Sequence, residues 1–223
     1  MHLILGAGSP RRKQLIEGIG FTPEIRVKDI VEDFPAGLTK ENIAIYLSKH
    51  KAAAYVNELN DQDVLITADT IVWCENELLG KPSDRQDAIR MLNKLQGRDH
   101  QVYTGVSILS KNSAVDFFDE TTVWFKSLSL SEISSYVDHY QPFDKAGAYG
   151  AQDCLPQGIN PCSDEELSFL KQIGQADLFE RSLAIDPSKS IAIIDRISGS
   201  YFNVMGLPIV KVWKELQKFI PKS

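Results

Sequence analysis

Apolar positions near the start of the chain pass from a tight run to helical spacing. Leu3-Ile4-Leu5 is the kind of run that fills a buried strand, and it leads through Gly6-Ala7-Gly8-Ser9 to Leu15, Ile16 and Ile19, which share one helical face. Ser9 suits the N-cap, Pro10 the first helical position and Gly20 a left-handed stop. A second helical stretch after Thr39 carries Ile43, Leu47 and Ala54. Residues 64–72 then form a β-branched apolar run that reads as a central strand, interrupted by Asp69 and Thr70. Ser83 and Gln86 make a capping-box pattern ahead of Ala88, Met91, Leu92 and Leu95, and Gly97 ends that helix.

Alternation over 101–109 and 115–125, joined by Lys111-Asn112-Ser113, predicts an antiparallel hairpin. Ser129 and Glu132 form another capping box before Ile133, Tyr136 and Val137, and Pro208 opens a last amphipathic helix with Val212, Leu216 and Phe219. The intermixed patterns predict an α/β chain whose mixed, twisted sheet is flanked by helices. Residues 154–190 mix Pro, Gly and acids around a helix-like segment at 165–173 and read as an inserted excursion within one 1–223 domain.

Composition narrows the function classes. A hydrophobic fraction of 43% and a charged fraction of 24% belong to a globular chain, and a net charge of -6 argues against nucleic-acid binding, whose affinity comes from Lys and Arg on phosphates. The N-terminal apolar run is too short for a signal-peptide core, and no segment has the length of a membrane span. The 3 cysteines lack C-x-x-C spacing, so free thiols and a cytoplasmic location are expected. His2, His50, His100 and His139 show no metal-ligand spacing, which disfavours a zinc or thiol enzyme.

Several short constellations carry candidate chemistry. Gly6-Ala7-Gly8-Ser9-Pro10-Arg11-Arg12 places small residues, a helix N-terminus and two guanidinium groups where an anion can sit; the plain alternative is a capped helix with solvated arginines. Thr67-Ala68-Asp69-Thr70 puts a carboxylate in a run that wants burial, either as a functional acid or as an Asp bonded to its own backbone. Gly80-Lys81-Pro82 fixes a cation at a strand end, and Asp144-Lys145-Ala146-Gly147-Ala148-Tyr149-Gly150-Ala151-Gln152 adds another. The segment 199–208 reads as a loop that supports the sheet. Arg11, Arg12, Lys51, Lys81 and Lys145 would together supply a local positive site in this acidic chain.

In this order the motifs resemble the Maf family of nucleotide pyrophosphatases. The resemblance implies a fold similar to inosine triphosphate pyrophosphatases, with two lobes around a central cleft, and often a homodimer. It further implies that Asp69 is the proton acceptor and that a divalent ion, Mg²⁺ or Mn²⁺, is required. Glu32 resembles the family's acidic position and with Asp69 would hold that ion. Lys51 matches a Lys-Ala element, Ser9 belongs to the phosphate loop, and Lys81 would stabilise the departing pyrophosphate. Arg11, Thr70 and Gln152 match positions that set specificity in the branch cleaving dTTP and UTP. A glutamine amide fits the uracil edge, although rotated it also fits cytosine.

Two departures stand out: the family usually has Ala-Ser where this chain has Gly6-Ala7, and it usually passes from the Tyr-Gly-x-Gln segment directly to a strand like 191–194. The excursion, starting beside Gln152, is expected to be a lid or an interface element. Rival readings are a 7-methyl-GTP pyrophosphatase and a non-catalytic nucleotide-binding regulator of cell division.

Overall fold

The computed structural model describes residues 1–156, 158–182 and 191–220. Its sheet has 7 strands: β1 (His2–Leu5), β2 (Glu24–Ile25), β3 (Asp63–Cys74), β4 (Glu77–Leu79), β5 (Asp99–Ser110), β6 (Ala114–Phe125) and β7 (Ile194–Ser198). They run in the order β2-β1-β3-β5-β6-β7, with β4 paired to the far end of β3. β1 lies parallel to β2 and β3, while the β3-β5, β5-β6 and β6-β7 ladders are antiparallel. The mixed α/β architecture is therefore the one that the hydrophobic pattern predicts.

Helices cover both faces. On one side α2 (Glu41–Ala53) sets Ile43, Ala44 and Leu47 against Ile71, Trp73 and Tyr103. Its backbone comes so close that a Cβ on Gly105 would lie 2.2 Å from the Ala44 carbonyl oxygen, so glycine is required in β5 at that crossing. On the other side α1 (Pro10–Gly18), α3 (Arg85–Leu95), α4 (Leu130–Tyr140), α7 (Tyr201–Val204) and α8 (Ile209–Leu216) share the main core with Ile66, Ala68, Val72, Val102 and Val106. No helix among the described residues is long and apolar enough to cross a membrane.

Local signals explain most helix ends. Ser9 accepts from the Arg12 amide, and at the other end Gly20 takes φ +91° while Phe21 N donates to Ile16 O and Gly20 N to Glu17 O, the paired bonds of a Schellman stop. Ser129 and Glu132 form the expected capping box of α4. At α3 the expectation of Ser83 as cap is corrected by one residue: Asp84 accepts from Asp87 N, and the Asp87 carboxylate reaches back to Ser83 N. Asp is as good a cap as Ser, and the chain turns one residue later. β7 also begins at Ile194, where the strand expected over 191–194 ends, because Ile193 N donates to Cys154 O and Ile191 O rather than to a sheet partner.

The described part of the 154–190 excursion packs into the fold; residues 183–190 lie outside the described ones. It contains α5 (Asp164–Gln172) and α6 (Leu178–Ser182). Leu178 fills the space over Gly18 of α1, and Gln14 donates to Arg181 O at 2.7 Å. Glu166 of α5 is 1% exposed and accepts from Ser200 Oγ and from the amides of Tyr201 and Phe202 at 3.1 Å, which caps α7. None of the described residues in 154–182 borders the cleft below; the contacts of this part run to α1 and α7.

Candidate active site

A gap in the sheet creates the site. β1 stops at Leu5, opposite Ile66, and β4 resumes pairing only at Val72, opposite Leu79. Residues 67–71 of β3 thus have no strand on that edge, and a cleft of about 830 Å³ opens there between the α1 N-terminus and the segments around residues 81, 145 and 205. All the residues singled out from the sequence for a site border it. Because side chains alternate along a strand, Asp69 points toward α2 and Thr70 toward the main core.

The Asp69 side holds a chain of alternating charges. Lys51, in the last turn of α2, bonds the Asp69 carboxylate and also donates to Glu32 Oε1 at 2.8 Å; Lys81 donates to the other Glu32 oxygen at 3.0 Å. Asp69 is in register with Gly105, so the carboxylate is held by a lysine and not by a bulge in its own backbone. Burial would raise the Glu32 pKa, but hydrogen bonds and charge from Lys51 and then Lys81 outweigh it and bring the group down to about 2. Glu32 is therefore ionised at neutral pH. Two carboxylates that converge on one Nζ form a pocket for positive charge. Among the described residues no group of three or more His, Cys, Asp or Glu suits a metal. Two carboxylates completed by phosphate oxygens and water are, however, what Mg²⁺ commonly uses, so Glu32 and Asp69 fit such an ion.

The Thr70 side is ordered by Arg12. Its Nε donates to Gly206 O at 2.8 Å and its Nη2 to Thr70 Oγ1 at 3.0 Å. Burial pushes the guanidinium pKa down and Asp69 pulls it back up; an arginine so placed stays charged. Arg11 approaches Asp144 at 3.7 Å, and Lys145 bonds the same carboxylate at 2.7 Å. Burial raises the Asp144 pKa, but the Lys145 hydrogen bond and the neighbouring cations lower it overall. Gln152 Oε1 is buried and has no hydrogen-bond partner among the described residues, an acceptor that awaits a donor.

Ser9 caps α1 at 3.4 Å, leaving first-turn amides of the helix toward the cleft. The Gly6 departure has a local cause: a Cβ there would lie 2.8 Å from the Thr67 methyl, whose hydroxyl donates to Ser48 O. The segment 199–208 does more than support the sheet, because Val204, Met205 and Gly206 border the cleft and Gly206 O fixes Arg12. Gly206 has φ +104°, a conformation that favours glycine and the one sequence signal that could have marked it. Thr104 and Asn203, which lie behind Thr70, carried no such signal.

A family model described as Maf-like protein matches residues 2–168. A dTTP/UTP pyrophosphatase of Bacteroides fragilis (strain YCH46) is 40% identical over 217 residues, 97% of this chain and 95% of that protein. Proteins of the same name from Porphyromonas gingivalis (strain W83) and Flavobacterium psychrophilum are 38% and 39% identical, over 97% and 95% of this chain and 94% and 91% of their own lengths. Among solved structures, the Staphylococcus aureus Ham1 protein aligns at TM-score 0.39 with 16% identity, over 56% of this chain and 72% of that one.

Proposed function

This chain belongs to the Maf-like protein family, and from that membership we propose that it hydrolyses dTTP and UTP to the monophosphate and pyrophosphate. The observation that carries the reading is the meeting, at one sheet gap, of a carboxylate nearly removed from water with a helix N-terminus and converging cations. A triphosphate laid along this cleft exchanges its own charges for those that now hold the lysines.

In the proposed reaction Asp69 takes a proton from a water molecule as its oxygen attacks the α-phosphorus. The bond from that phosphorus to the bridging oxygen of the β-phosphate breaks, and pyrophosphate leaves with the electron pair. Lys51 holds the Asp69 carboxylate at the cleft wall, and Lys81 is free to swing from Glu32 to the leaving group. Ser9, Arg11, Arg12 and Lys145 bind the substrate, with α1 amides beside them. A divalent ion, Mg²⁺ or Mn²⁺, held by Glu32 and Asp69 would neutralise charge on the phosphates when bound. Gln152, whose amide can donate to a base carbonyl as well as accept, supports recognition of the base edge. The cysteines Cys74, Cys154 and Cys162 are free thiols, which supports a cytoplasmic location.

The test is pyrophosphate release from canonical and modified nucleoside triphosphates with Mg²⁺ or Mn²⁺, comparing the native protein with Asp69→Asn. Selective, Asp69-dependent cleavage of dTTP and UTP is expected. Turnover centred on 7-methyl-GTP, or tight nucleotide binding without turnover, would overturn the reading.

A further inference from the structure

Behind Thr70 runs a line of hydrogen bonds whose directions can be worked out. Arg12 Nη2 lies 3.0 Å from Thr70 Oγ1 and can only donate. Thr70 Oγ1 lies 2.9 Å from Thr104 Oγ1, and Thr104 Oγ1 lies 3.0 Å from the Asn203 carbonyl, which can only accept. Thr104 is fully buried and has a single hydroxyl proton. That proton goes to Asn203 O, since otherwise two sets of lone pairs would face each other away from water. The contact between the hydroxyls is therefore donated by Thr70, whose own proton is turned away from the cleft. With one lone pair taken by Arg12, Thr70 offers a ligand only its remaining lone pair.

On this side of β3 the cleft wall joins the apolar Val72, Val102, Tyr149 and Met205 to the cations Arg11, Arg12 and Lys145, and the ionised cluster of Lys51, Asp69 and Glu32 lies on the other side. We propose that Thr104 is a positioning residue that fixes Thr70 as an acceptor, so that the site selects a base edge carrying an N–H, the imide N3–H of uracil or thymine, over the bare N3 of cytosine. The inference rests on the pyrimidine triphosphate reading above. A bare ring nitrogen at Thr70 would meet a lone pair that has no proton to turn toward it, and the buried line of bonds prevents the hydroxyl from rotating.

The experiment compares kcat/KM for UTP and CTP in the full-length wild type, Thr104→Val and Thr104→Ser. In Thr104→Val the Thr70 hydroxyl is released to rotate, and the UTP-to-CTP ratio is expected to fall about tenfold. Thr104→Ser, which keeps the hydroxyl, is expected to retain the ratio. Should Thr104→Val fail to fold, Thr104→Ala removes the same hydroxyl. An equal fall for both substrates with the ratio intact would show a purely structural role and overturn the inference, as would loss of the ratio in Thr104→Ser. A wild type that cleaves CTP as well as UTP would overturn the imide reading itself, whereas a UTP preference that survives Thr104→Val would overturn the role of Thr104 alone.

Discussion

Asp69 and Glu166 are both carboxylates withdrawn from water, 7% and 1% exposed, but they are neutralised in opposite ways. Around Asp69 the compensating charge is a lysine Nζ on a flexible stem, shared with Glu32 and extended by Lys81. Around Glu166 the partners are amides of α7 and serine hydroxyls, which cannot leave without unravelling a helix. Both arrangements meet the rule that a buried charge needs partners. Only the first has partners that a phosphate can recruit. On the proposed mechanism, the way a carboxylate is neutralised separates a reactive acid from a structural one more clearly than burial does.

The largest effect that tests this contrast is on turnover. Asp69→Asn is expected to lower kcat by roughly 10²–10⁴-fold while thermal unfolding stays near that of the native protein. A variant that kept more than about a tenth of the activity would break the contrast, since a general base contributes more than that. Next comes Glu166→Ala, which strands buried amides and is expected to cost about 3 kcal/mol in urea unfolding. While it remains folded, its kcat should stay within a few-fold of the native value; a collapse of turnover in folded protein would erase the division of roles.

The smallest effect belongs to Glu32. Its pKa falls from 4.5 to about 2 on folding, so its contribution is complete above 4.5 and is lost as pH falls through about 2. Unfolding of Glu32→Gln and of the native protein should therefore differ at neutral pH and converge on acidification. The difference should stay below about 1 kcal/mol, because Glu32 is solvent-screened. A gap that widened in acid would contradict the network.

Much of this was legible in the sequence because its causes are local. The hairpin, the capping box at Ser129 and Glu132, and the stop at Gly20 depend on residues within a few positions of one another. The cap at Asp84 was misplaced because Ser83 and Asp84 are adjacent and equally suited. What stayed hidden is long-range: Arg12 meets Gly206 across 194 residues, and Thr104 meets Asn203 across 99. A threonine in an alternating strand looks the same whether its hydroxyl is idle or sets the direction of a hydrogen bond.

The sheet gap also has a kinetic side. The β5-β6 hairpin closes between Leu109 and Ala114, whereas β1 must bring His2 to Asp63, and the Arg12 contact waits for Gly206. Loop-closure entropy and contact order therefore favour early formation of the hairpin and late closure of the edge where the cleft lies. On the ribosome the N-terminal loop emerges first yet stays without its carbonyl anchor until Gly206 has been made. Hydrolysis is then a property of the finished chain, and a truncated product stopping short of Gly206 would fold its hairpin without acquiring a working cleft.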